Sequence, residues 1–121
     1  MNPLDIEMVR RQIDGRSETV SFYYAALGDL REKHQVNADI QMPAAATIRV
    51  PLLIETLRLV ESRELRLGQR ISIEPQNRIP GARTDELGKN DFSLLELLRW
   101  MILVKDGSAT NTIIDLVGMD R

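Results

Sequence analysis

The chain has 121 residues, 43% of them hydrophobic, which is enough for the modest core of one domain and too apolar for a disordered chain. The 16 Lys and Arg residues face 18 Asp and Glu with the signs interspersed, for a formal charge of −2, and only 4% of the residues are aromatic, so neither a basic track nor a stacking platform for nucleic acid is present. No window approaches a membrane span, "MNPLDIEMVRRQ" is not a signal peptide, and the lack of cysteine excludes disulfides, a thiolate nucleophile and thiolate metal ligation.

In "PLDIEMVRRQI", residues 3 to 13, Leu4, Ile6, Met8, Val9 and Ile13 recur at mostly helical spacing, which predicts a short first helix ended by Gly15. "ETVSFYYAAL" favours a strand with Val20, Phe22 and Tyr24 on one face, Gly28 and Asp29 mark a turn, and a poorer second strand is expected within "REKHQVNADI". His34 is read as an exposed strand or turn residue, because no second ligand is spaced to share a metal with it.

From Ala45 to about Glu61, the spacing of Ile48, Leu52, Leu53, Leu57 and Val60 predicts a largely buried helix. Pro51 belongs in its first turn or so, which moves the expected start toward Thr47. "VESRELRLGQR" reads as a solvated helix end, and residues 68 to 91, rich in turn formers, as a long irregular connection. Ser93 followed by Glu96 is a capping-box pattern before an apolar stripe of Leu94, Leu97, Leu98, Met101 and Ile102, with Trp100 beside it as semi-buried core. Asp106 and Gly107 break that helix, Ser108 is placed to cap the next, and Gly118 stops it, so "KDGS" is the corner of a helical hairpin.

The order of a strand hairpin, "PAAATIRVPLL", a long loop and "LLRWMILVKDGSATNTIIDLVG" resembles the N-terminal part of the class A serine β-lactamases and related penicillin-interacting serine peptidases, over residues 18 to 118. The resemblance implies an α+β fold, mostly helical with an N-terminal β-hairpin, and residues 1 to 121 as a single partial domain. The family's buried helix starts with a Ser followed three residues later by a Lys; a Ser-Asp-Asn corner and a helix bearing another Asn come after the loop. Ala46 matches the nucleophilic Ser and Arg49 the Lys, while Lys105, Asp106 and Gly107 fall on the corner and Asn111 matches the Asn.

The departures carry chemistry. Alanine has no oxygen to attack a carbonyl, and arginine, with a pKa above about 12, is no general base near neutrality. Lys105 supplies a cation in place of a proton-shuttling hydroxyl, and Gly107 removes an amide. Asp106 keeps the role of holding the corner through backbone hydrogen bonds, a solvated helix corner is expected around it, and Arg49 is expected to pair with Asp106 or another carboxylate. After Asp120 none of the family's deacylation loop, Lys-Thr-Gly strand or closing helix follows, so the chain reads as about half of such a domain.

The expectation is a catalytically inactive β-lactamase-like structural or interaction module with no catalytic residues, no cofactor and no metal. The alternative is a serine hydrolase of β-lactams, peptides or esters active only if completed by another chain. Two strands leave unpaired edges, so a homodimer or a completing protein chain is expected as partner, without nucleic acid, membrane or bound β-lactam. The compartment stays open, with a soluble cytoplasmic chain favoured.

Overall fold

The computed structural model describes residues 5–28 and 33–118, which belong to two compact units divided between Pro43 and Ala44. In the first unit, α1 spans Ile6–Asp14. The Asp5 carboxylate accepts from the Met8 amide at 3.0 Å and so caps one of the free N–H groups of the first turn. Ile6, Val9 and Ile13 are its half-buried stripe. Strands β1 (Phe22–Ala25) and β2 (Lys33–Val36) pair antiparallel, with Phe22 opposite Val36 and Tyr24 opposite His34. Asn37, at φ +51°, closes the open end of this hairpin: its side-chain amide donates to the Val20 carbonyl and its carbonyl accepts from the Ser21 hydroxyl, both at 3.0 Å. His34 is half-buried rather than exposed, because its ring stacks on Tyr24 across the ladder, with centroids 6.2 Å apart. Of the turn expected at Gly28 and Asp29, Gly28 is an exposed bend and Asp29 lies outside the described residues.

The second unit begins with a 3₁₀ turn, Ala45–Ile48, that runs into α2, Arg49–Glu61. Pro51 is the third residue of α2, where its missing N–H costs nothing. Helices α4 (Leu94–Leu103) and α5 (Gly107–Val117) complete the three-helix core, with a short α3, Arg83–Glu86, before them. Leu52 and Leu59 of α2, Leu94, Leu97, Leu98 and Met101 of α4, and Ala109, Ile113 and Val117 of α5 form one buried cluster. Each large side chain in it removes apolar surface from water for about 2 kcal/mol, before the entropy of ordering is subtracted. Thr56, fully buried in α2, satisfies its hydroxyl by donating to the Leu52 carbonyl at 2.7 Å. The Ser93 capping box is fully made: its hydroxyl accepts from the Glu96 amide and the Glu96 carboxylate accepts from the Ser93 amide.

Three expectations are corrected. Residues 68 to 91 are not an irregular connection, because β3 (Arg70–Ser72) pairs with β4 (Asp91–Ser93) in a second antiparallel ladder, with Ile71 opposite Phe92. Phe92 is completely buried under it, and a 3₁₀ turn at Pro75–Asn77 and α3 occupy the span between the strands. The stretch after α2 is not wholly solvated, since Leu65 and Leu67 pack against the core. Nor is α2 buried on every apolar side: Ile54 and Leu57 are 64% and 45% exposed. The architecture is a mostly helical α+β fold with an early antiparallel hairpin.

Candidate functional site

Ala46 is exposed in the 3₁₀ turn that leads into α2, directly after Ala45, whose φ of +47° is left-handed. Arg49 follows at the start of α2, half-buried. Its Nε donates to the Thr110 hydroxyl at 3.3 Å and a terminal guanidinium nitrogen donates to the Lys105 carbonyl at 3.1 Å. Thr110 passes its own proton on to the Asp106 carbonyl at 2.7 Å. The arginine therefore ties the head of α2 to the corner between α4 and α5 through neutral oxygens. The expected Arg49–Asp106 ion pair is not formed, because the Asp106 carboxylate is turned away into other donors.

Asp106 is 3% exposed. Its Oδ1 accepts from the Ala109 amide at 2.8 Å and the Thr84 hydroxyl at 3.0 Å, and its Oδ2 accepts from the Thr84 amide at 2.8 Å. A carboxylate taken out of water is tolerated only with such a full set of donors. The corner is therefore half solvated and half core: Lys105 is exposed at φ +59°, whereas Asp106 is buried. Asp106, not Ser108, is the N-cap of α5, since its carboxylate reaches Ala109. Ser108 lies inside the helix, where its Oγ accepts from the Ile79 amide at 2.8 Å.

Gly107 is half-buried against Ile79. A β-carbon at position 107 would lie 2.4 Å from the Ile79 Cδ1, so the isoleucine occupies the space into which a corner side chain would project. Asn111 donates to the Asn77 carbonyl at 3.4 Å, and the buried Asn77 donates in turn to Asp115 at 2.6 Å. All six positions singled out in the sequence lie in the second unit, and hydrogen bonds join Arg49 to Lys105 directly and to Asp106 through Thr110. Thr84, Ile79, Asn77 and Thr110 were missed. Three of them lie in the stretch whose turn formers read as irregular, and a threonine inside a helix gives no sign of what it holds.

The hydroxyls of Thr47 and Thr110 donate to the Ala44 and Asp106 carbonyls. The second unit has no histidine, and among the described residues no group of three acidic or imidazole side chains is placed to hold a metal. This arrangement braces a backbone corner.

The model of the "Beta-lactamase enzyme family" matches residues 6–121. Among solved structures, the chain is similar to a β-lactamase from Sphaerobacter thermophilus DSM 20745, at 29% identity and TM-score 0.78, covering 95% of this chain and 43% of that one. It is similar to PBP-A at 27% identity and TM-score 0.79, and to a PBP-A mutant captured as an acyl-enzyme complex with penicillin G at 29% and 0.81, in both cases covering 97% of this chain and 46% of the other. The chain thus spans less than half the length of these structures. A search of curated proteins gives no match. Over nearly the whole of its length, the chain belongs to the β-lactamase enzyme family.

Proposed function

We propose that the chain is a catalytically inactive β-lactamase-like partial domain that serves as a structural or interaction module. The observation that carries this reading is the use of Arg49: the residue at the family's base position donates to Thr110 and to the Lys105 carbonyl and acts as a strut for the corner. Ala46, at the nucleophile position, has no oxygen with which an acyl group could bond. Lys105, Asp106, Gly107 and Asn111 are then degenerate family positions, of which Asp106 keeps a purely architectural task. Intact-mass spectrometry after prolonged incubation with penicillin G and with a cephalosporin tests the proposal. The mass is expected to stay unchanged, and a stoichiometric adduct overturns it.

A second reading, a serine hydrolase of β-lactams, peptides or esters assembled with another chain, draws support from the match to less than half of each solved relative. It requires a partner whose own serine reaches the space beside Ala46. Turnover in a screen of β-lactam and ester substrates, abolished by changing Arg49 or Lys105, would favour it.

A further inference from the structure

Of the seven glycines, two directly follow an aspartate, in Asp14–Gly15 and Asp106–Gly107. In such a pair the backbone nitrogen of the glycine can attack the side-chain carboxyl of the aspartate, because no β-carbon on the following residue crowds the approach. The new N–C bond closes a succinimide ring, and a carboxyl C–O bond breaks, its hydroxyl leaving with the amide proton as water. Water then opens the ring at either carbonyl, and opening at the former backbone carbonyl leaves the chain running through the side chain as isoaspartate, one methylene longer. We propose that Asp106–Gly107 is a latent site of this modification, locked by the bonds that hold the Asp106 carboxylate and opened when the corner between α4 and α5 lets go, whereas Asp14–Gly15 is open in the folded chain.

The lock is built from this chain's own residues. Ring closure requires the Asp106 Cα–C bond to rotate away from ψ +121°, so that the Gly107 nitrogen comes round to the side of the β-carbon. The carbonyl that must turn with it accepts from the Thr110 amide at 3.1 Å and the Thr110 hydroxyl at 2.7 Å. The carboxyl must also leave the Thr84 amide, the Thr84 hydroxyl and the Ala109 amide, all inside the packing that leaves Asp106 only 3% exposed. Asp14 is held by nothing of the kind. It ends α1, a nine-residue helix with no buried residue, and its exposed carboxylate makes no hydrogen bond or ion pair among the described residues. It lies off the half-buried stripe, on the side of the helix that carries the exposed Glu7–Arg11 ion pair. The Gly15 amide donates over a long 3.3 Å to the Arg11 carbonyl, in a terminal turn that opens at little cost. Conversion at position 106 runs one way. Isoaspartate lengthens the backbone and shortens the arm of the free carboxylate, so it no longer rebuilds the cap on Ala109 or the bonds from Thr84, and a corner that has reacted stays open.

The test follows isoaspartate at both sites in the full chain, held at mildly alkaline pH in buffer and in guanidinium chloride, by peptide mapping with electron-transfer mass spectrometry, which tells the two isomers apart. In denaturant both sites are expected to convert at similar rates, and Gly107→Ala to slow position 106 severalfold. In buffer, Asp14 is expected to convert while Asp106 lags behind it roughly a hundredfold, because its rate follows the population of the opened corner. Thr84→Val is expected to raise the Asp106 rate roughly fivefold and to leave that of Asp14 unchanged. Equal rates at the two sites in buffer, no conversion at Asp14, no conversion at Asp106 in denaturant, or a Thr84→Val effect that is absent or shared by both sites would each overturn the proposal. The comparison of the two sites within the wild-type chain decides even where the variant fails to fold. Neither readout involves an acyl group at position 46, so this proposal stands or falls apart from that of an inactive module.

Discussion

The buried carboxylate of Asp106 accepts from both the amide and the hydroxyl of Thr84, at 2.8 and 3.0 Å, across 22 residues of sequence. A third bond, from the Ala109 amide, makes the same group the cap of α5. Asp106→Ala would leave these donors buried without a partner and is expected to cost about 3 kcal/mol. Thr84→Val removes one hydroxyl and keeps the volume, for about 1 kcal/mol. Urea unfolding of the two variants checks the ranking, and an Asp106→Ala loss no larger than that of Thr84→Val would contradict it.

If Arg49 is the brace proposed above, its replacement is expected to affect stability and leave chemistry untouched. Arg49→Met is expected to lower stability by about 1 kcal/mol through the two lost hydrogen bonds. Ala46→Ser restores an oxygen beside an arginine that cannot take its proton, so no useful hydrolysis of a chromogenic β-lactam is expected from that change alone. A clear catalytic rate from the single mutant would reverse this view of the site.

The Glu96 carboxyl is held below the usual carboxylate range, chiefly by the hydrogen bond from the Ser93 amide, with Lys89 assisting. Its pKa is lower folded than unfolded, so the unfolded chain takes up the proton first as pH falls. The stabilisation is therefore full above the unfolded value of about 4.3 and disappears as pH drops through the folded value. The urea midpoints of the wild type and Glu96→Gln are expected to differ more at neutral pH than under strongly acid conditions. An equal difference in both would show that the capping box does not titrate as described.

Ile79 and Gly107 should respond to mutation as a pair. Gly107→Asn forces the Ile79 Cδ1 aside, at a cost of about 1 kcal/mol because that atom is the end of a side chain only partly enclosed. In an Ile79→Ala background the same change is expected to be nearly free. A double-mutant cycle measures the coupling, and strictly additive losses would mean that the contact does not constrain position 107.

The hairpin of the first unit leaves Tyr23 60% exposed and, among the described residues, has two strands only, an arrangement marginal in isolation. Dimerisation through its free edges is the expected remedy, giving a sedimentation coefficient that rises with concentration. A compact monomer throughout the micromolar range would count against it.

Local rules sufficed where one segment supplied both partners of an interaction. The Ser93–Glu96 capping box, the stripe of Leu94, Leu97, Leu98 and Met101, the hairpin strands and the stop at Gly118 all follow from spacing within a single element, and all are present. For the positions Ala46, Arg49, Lys105, Asp106, Gly107 and Asn111, residue type alone excludes a hydroxyl at 46 and a titrating base at 49. The partners of those residues required the folded chain. Thr84 meets Asp106, Thr110 meets Arg49 and Ile79 covers Gly107 only after distant segments pack, and nothing at a threonine or an isoleucine in the sequence announces such a contact. Likewise β3 and β4 are three residues each, too short for an alternating pattern to stand out, and they exist because their pairing buries Phe92 against the helices. Helical spacing put Leu57 on an apolar stripe, but whether that stripe met a neighbour or water depended on which elements packed against α2, and tertiary packing left it exposed.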